Sequence, residues 1–148
     1  MNGTVIAVLG LALCMICCGI GSAIGLYKAG TAASAAIAED EKKFASVFVL
    51  AVLPATQGLY GFVITIIGLG SVAAGMDVNA GFAVLGSVLP MAIVGLASAI
   101  LQGKTAASAI CAIAKNENAG VKMMLFPAMV ETYAILSLVI TIMLLGAI

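Results

Sequence analysis

The sequence predicts an all-α membrane protein whose four transmembrane helices form two tandem hairpins repeating in parallel. Composition is the first reason: 64% of the 148 residues are hydrophobic, 8% are charged and mean hydropathy is +1.30, well outside the range of soluble domains. Four apolar stretches, at about residues 4–27, 44–75, 80–103 and 121–147, are the second, each matching the roughly 20 apolar residues that cross a bilayer. The third is internal repetition at a shift of 76 residues, with no gap. Ala7-Val8-Leu9-Gly10 then falls on Ala83-Val84-Leu85-Gly86, Ser22-Ala23-Ile24 on Ser98-Ala99-Ile100, Lys28 on Lys104, Ala36-Ile37-Ala38 on Ala112-Ile113-Ala114, and Val63-Ile64-Thr65-Ile66 on Val139-Ile140-Thr141-Ile142. A duplicated hairpin has this signature, and it divides the chain into residues 1–75 and 76–148. Because each unit holds two spans, both copies enter the membrane the same way, unlike the inverted repeats of many secondary transporters.

The first span begins MNGTVIAVLG. It has no positively charged start, and its apolar run exceeds that of a cleavable leader, so it is expected to be a retained helix with the N-terminus mature as written. Gly21, Gly25, Ala29 and Ala33 recur at every fourth position along helix one, and Gly95, Ala99, Gly103 and Ala107 do so along helix three. Such stripes let helix backbones approach closely. Together with the duplication they predict an inner layer of helices one and three in a ring built from many hairpins.

The second span carries LPATQGLYG, in which positions 53, 56, 57 and 60 share one helical face. The third offers Gln102, and the fourth, in PAMVETYAIL, offers Glu131, the only acid deep in a span. Counted at about 1.5 Å per residue, Gln57, Gln102 and Glu131 lie roughly 25 to 30 Å from the outer ends of their helices, so they can meet at one level. Pro54 and Pro127 each remove an amide donor and free a carbonyl one turn earlier, which can bend a helix and lend oxygen to a site.

The connectors set orientation. Lys28, Lys42 and Lys43 lie between spans one and two, and Lys104, Lys115 and Lys122 between spans three and four, whereas the connector SVAAGMDVNAG carries only Asp77. The positive-inside rule therefore puts loops 28–43 and 104–122 in the cytoplasm and both termini outside a multi-pass cell-membrane protein.

Inventory narrows function. The chain has no histidine, tryptophan or arginine, which removes a histidine metal site, a serine–histidine triad and an arginine phosphate clamp, and no catalytic site is expected. Zero net charge and the lack of a basic tract speak against nucleic acid. Cys14, Cys17, Cys18 and Cys111 are expected to be small packing residues without a disulfide or zinc. An acid at mid-membrane costs about 2.5 to 3.5 kcal/mol on insertion scales, and such residues mark ion pathways or proton relays. Under the 76-residue shift Glu131 falls on Ala55, so one carboxylate is expected per four helices.

The duplicated hairpin, the glycine-rich first and third spans, LPATQGLYGFVI, ILQGKTAAS and MVETYAILSLVIT resemble, over essentially the whole chain, the proteolipid or K subunit of V-type ATPases, most closely the bacterial sodium-translocating type. The resemblance implies a homo-oligomeric rotor ring in lipid. Its fourth-helix glutamate carries the coupling ion past a stator membrane subunit while ATP hydrolysis elsewhere turns the central stalk, which would meet the cytoplasmic loops. Carried over, Glu131 becomes the ion-binding carboxylate, Thr56, Gln57, Gln102 and the Leu53 carbonyl its oxygen ligands, and Tyr60 a hydrogen-bond donor to Glu131. Sodium is favoured over the alternative, a proton, because a proton needs no coordination shell while a hard cation needs several oxygens. A four-helix efflux transporter is the rival class; such a chain ordinarily places its acid in the first helix and needs no parallel duplication.

Overall fold

A computed structural model describes residues 2–116 and 120–148. Helix α1 covers Gly3–Glu39, a 3₁₀ turn covers Glu41–Lys43, α2 covers Phe44–Val52, a second 3₁₀ turn covers Leu53–Ala55, α3 covers Thr56–Leu69, α4 covers Val78–Lys115 and α5 covers Gly120–Gly146. With α2, its 3₁₀ turn and α3 taken as one span, four helices among the described residues are long and apolar enough to cross a membrane. The predicted fold is thus the observed one, with three differences in detail.

First, α1 and α4 run 37 and 38 residues, about 55 Å each, far beyond a hydrocarbon core of about 30 Å. Much of the expected loops 28–43 and 104–122 is therefore helix. Hydropathy falls after Tyr27 and Gly103, but the segments that follow are rich in alanine, the best helix former, and lack proline. Glu117 to Ala119, in the second of those loops, lie outside the described residues.

Second, α3 stops at Leu69 rather than near 75, and a connector with Gly75 at a φ of 77° leads into α4. Asp77 caps α4, its Oδ1 accepting from the amides of Asn79 (2.6 Å) and Ala80 (3.0 Å). Third, Pro54 interrupts its span, whereas α4 and α5 run through Pro90 and Pro127 as continuous helices.

Helices α1 and α4 lie parallel, and the glycines explain how closely. A Cβ on Gly10 would stand 2.8 Å from the Leu85 Cα, and one on Gly21 2.8 Å from the Leu96 backbone. A Cβ on Gly25 would stand 2.5 Å from the Ala99 carbonyl, and one on Gly103 would collide with the Gly25 backbone. The paired positions track the repeat, so each α1 residue meets the neighbourhood of its own copy. Of the predicted stripes only Ala107 departs; it is half-buried, and Ala106 takes the buried place beside it. Helix α3 packs antiparallel on α1, with Gly58, Gly61 and Gly68 seated against Ser22, Cys18 and Leu11, while α5 packs along α4.

Two apolar clusters form the core, and both draw on both hairpins. One gathers Leu11, Cys18, Ile64, Val88, Met91 and Leu145. The other gathers Ala29, Leu50, Ala106 and Ile110, with Met124 against it. Along each chain segment the polar residues fall between the two: Gln57 between Leu50 and Ile64, Gln102 between Met91 and Ala106, Glu131 between Met124 and Leu145.

The cysteines divide. Cys14 and Cys18 are buried, Cys17 is half-buried, and Cys111 is exposed on α4, so packing accounts for the first helix's thiols and not for Cys111. In the charged run at 39–43, Asp40 Oδ1 accepts from the Lys42 amide (3.1 Å), and Lys43 Nζ donates to the Ala114 carbonyl (2.9 Å), capping α4 from the neighbouring span.

Candidate ion-binding site

Pro54 has no amide hydrogen, and the chain around it tightens into the 3₁₀ turn Leu53–Ala55, with the Thr56 amide donating to the Leu53 carbonyl. Helix α3 restarts at Thr56, so Thr56, Gln57 and Tyr60 project from its first turn and a half toward α4 and α5. All three reach Glu131. Thr56 Oγ1 lies 2.8 Å and Gln57 Nε2 3.3 Å from Oε2, and the Tyr60 hydroxyl donates to Oε1 at 2.6 Å. From α4, Gln102 Nε2 donates to Oε2 at 2.7 Å and lies 3.2 Å from the Pro127 carbonyl. The two amides are linked, Gln57 Nε2 donating to Gln102 Oε1 at 2.8 Å.

Gln57 and Gln102 are fully buried and Glu131 is half-buried. Four donors from two helices thus meet one carboxylate amid apolar packing, where each hydrogen bond to a charged group is stronger than a neutral one. The same side chains carry oxygen. Leu53 O is 3.0 Å and Gln57 Oε1 3.2 Å from Thr56 Oγ1; with Gln102 Oε1 and the carboxylate they form a cluster of hard ligands of the kind that surrounds an alkali or alkaline-earth cation. Thr56 has a single proton for three acceptors within reach, and the charged one competes best. For each glutamine, presenting oxygen instead of nitrogen needs only rotation about the last side-chain bond.

Every site residue expected from the sequence is therefore brought together: Glu131, Gln57, Gln102, Thr56, Leu53 and Tyr60. Two details add to the expected set. Pro127, expected to free the carbonyl one turn before it, offers its own carbonyl to Gln102 instead; it stands one helical turn before Glu131, on the same face. Ser22 of α1 accepts from the Gly58 amide at 2.7 Å, a contact between distant spans that spacing alone does not reveal.

Fold and site define a four-span membrane protein in which a polar cluster organised on the Glu131 carboxylate lies between the two hairpins. The sequence matches the ATP synthase C-subunit family twice, over residues 9–68 and 85–144, and the chain belongs to that family. The second match is displaced from the first by the same 76 residues as the internal repeat. Among similar proteins, the V-type sodium ATPase subunit K of Enterococcus hirae is 46% identical over 143 residues, 97% of this chain and 92% of that one. The A-type ATP synthase subunit K of Methanocaldococcus jannaschii is 34% identical over 141 residues, 95% of this chain and 62% of that one.

Proposed function

We propose that the chain is the ion-carrying rotor-ring subunit of a V-type (V/A-type) ATPase, taking Na⁺ at Glu131 and moving it across the membrane as ATP hydrolysis elsewhere in the complex turns the ring. The observation that carries this reading is the convergence of Thr56, Gln57 and Gln102 on Glu131, with the Leu53 carbonyl beside them. A proton carrier requires a carboxyl group in a dry setting; two fully buried glutamines on it are the equipment of a metal cation. Similarity to a V-type sodium ATPase subunit supports the same ion. Tyr60 holds the carboxylate from its other oxygen.

The ring reading gains support from the parallel, repeat-matched packing of α1 on α4. Hairpins related by rotation without axial shift are what a closed cyclic array requires. The chain itself supplies no catalysis; its partners are further copies of itself, a stator membrane subunit, lipid, and central-stalk subunits at the lysine-bearing ends, which the lysine distribution assigns to the cytoplasm.

A carbodiimide attacks a protonated carboxyl, so sodium in the site protects Glu131. Millimolar Na⁺ at constant pH and ionic strength should slow labelling of the purified ring several-fold, and Gln57→Leu or Gln102→Leu should remove that protection. Labelling indifferent to Na⁺, with ATPase activity of the complex equally indifferent, would assign the proton as coupling ion.

A further inference from the structure

We propose that Ser22, on a helix that contributes no ligand, is a positioning residue that sets the ion preference of the site; the inference rests on the rotor reading above. The starting point is the broken span. Because α3 restarts at Thr56 after the 3₁₀ turn, the amides of its first turn lack the acceptors that a continuous helix provides. Thr56 donates back to Leu53. Gly58 donates instead to Ser22 Oγ, at 2.7 Å, across 36 residues of chain. Inside a bilayer no water is at hand to pair a free amide, so the serine acts as an N-terminal cap supplied by a neighbouring helix.

The surroundings make this cap directional. A Cβ on Gly58 would lie 3.1 Å from Ser22 Oγ and 3.2 Å from its Cβ, and one on Gly25, a turn further along α1, would lie 2.6 Å from Pro54 Cβ. Thus α1 grips the break on both sides, at Pro54 and at Gly58. Between those two grips stand Thr56 and Gln57. A small rotation of this one turn moves both relative to Glu131 and Gln102, which belong to other helices. Cation size is read by the spacing of the oxygens, so the grip is where selectivity is set.

The repeat provides a control within the same molecule. Ser22 corresponds to Ser98, whose hydroxyl reaches, among the described residues, its own helix at Gly95 O, 3.4 Å away. Gly58 corresponds to Ala134, inside the unbroken α5. The inter-helix cap exists only in the hairpin whose break carries ligands.

The test uses the assembled ring and reads carbodiimide labelling of Glu131 in parent, Ser22→Ala and Ser98→Ala proteins. Removing the Ser22 hydroxyl should weaken Na⁺ protection at least fivefold and change the ratio of Na⁺ to Li⁺ protection at least threefold; Ser98→Ala should match the parent. Labelling without sodium should also be several-fold faster in Ser22→Ala, because Thr56 and Gln57 then hold the carboxylate less well. That arm reads the positioning role even if the parent proves insensitive to Na⁺, which would count against the sodium reading alone. If Ser22→Ala does not assemble, Ser22→Cys keeps the volume but offers a weak acceptor and should show the same changes. A Ser22 variant whose sodium-free labelling and Na⁺ to Li⁺ ratio equal those of the Ser98 variant overturns the proposal.

Discussion

Replacing Tyr60 by phenylalanine isolates one hydrogen bond with almost no change in shape. The donors on Glu131 are unevenly divided: Thr56, Gln57 and Gln102 all address Oε2, while among the described residues Tyr60 is the donor on Oε1, at 2.6 Å. The substitution therefore strips one carboxylate oxygen and leaves the other fully served. A hydrogen bond to a charged group contributes about 1.5 to 3 kcal/mol net, and Tyr60 is itself half-buried, which favours the lower part of that range. Since about 1.4 kcal/mol is tenfold in affinity, the concentration of Na⁺ that half-protects Glu131 from carbodiimide should rise roughly 10- to 30-fold in Tyr60→Phe. Tyr133→Phe, at a tyrosine 67% exposed on α5, should leave it unchanged. A Tyr60→Phe ring with half-protection within twofold of the parent would mean that the three donors on Oε2 fix the carboxylate unaided, and the role given to Tyr60 would fall.

Two further outcomes are expected. Glu131→Gln keeps volume and a hydrogen-bonding head but loses the charge that balances a cation, so ATP-driven ion transport should fall to background while the ring still assembles; coupled transport retained in this variant would sink the mechanism. Asn79→Cys, placed on a background without Cys14, Cys17, Cys18 and Cys111, sits exposed beside Asp77 at the lysine-free end, and an impermeant thiol reagent should label it only from outside the cell; labelling from the cytoplasmic face would reverse the topology.

The site was more legible than the helix limits. Glu131, Gln57 and Gln102 announced themselves because a polar side chain in a bilayer needs a partner, and three such residues at matching depth have few partners besides each other. Tyr60 and Thr56 followed from sharing the face of Gln57. The ends of α1 and α4 are not legible in hydropathy, which reports where lipid stops and not where a helix stops; the alanine-rich segments after Tyr27 and Gly103 continue the helix. Proline behaved unequally for a reason outside local sequence. At Pro54 the tightened turn and the Gly58 amide have a neighbour to receive them, in Ser22 and the gap at Gly25, while Pro90 and Pro127 sit in helices that absorb the lost bond. Ser22 itself was legible only as a repeat match with Ser98, since a serine in a span ordinarily bonds its own helix.

Comparing the two hairpins separates the proposed ligand set from its scaffold. In the second, Thr132 and Met129 correspond to Thr56 and Leu53, and the Thr132 hydroxyl bonds the Met129 carbonyl at 2.7 Å as Thr56 meets Leu53. The hydroxyl–carbonyl pair is thus present in both copies, but beside Thr132 stands the exposed Tyr133 where Gln57 stands in the first copy, and Glu131 and Gln102 have only Ala55 and Leu26 as counterparts. The polar groups are divided between the hairpins: Gln57 and Tyr60 on the second span, Glu131 on the fourth, with Gln102 on the third. In the proposed reading each chain then holds one complete site, formed across its own hairpin interface. For the proposed rotor this has an energetic consequence. A ring with one carboxylate per four helices passes half as many ions per turn as a ring of equal circumference with one per hairpin, so each ion moved is coupled to twice the free energy of rotation. On this reading the inequality of the two hairpins, with alanine at 55 where the second copy carries Glu131, sets the gear of the rotor.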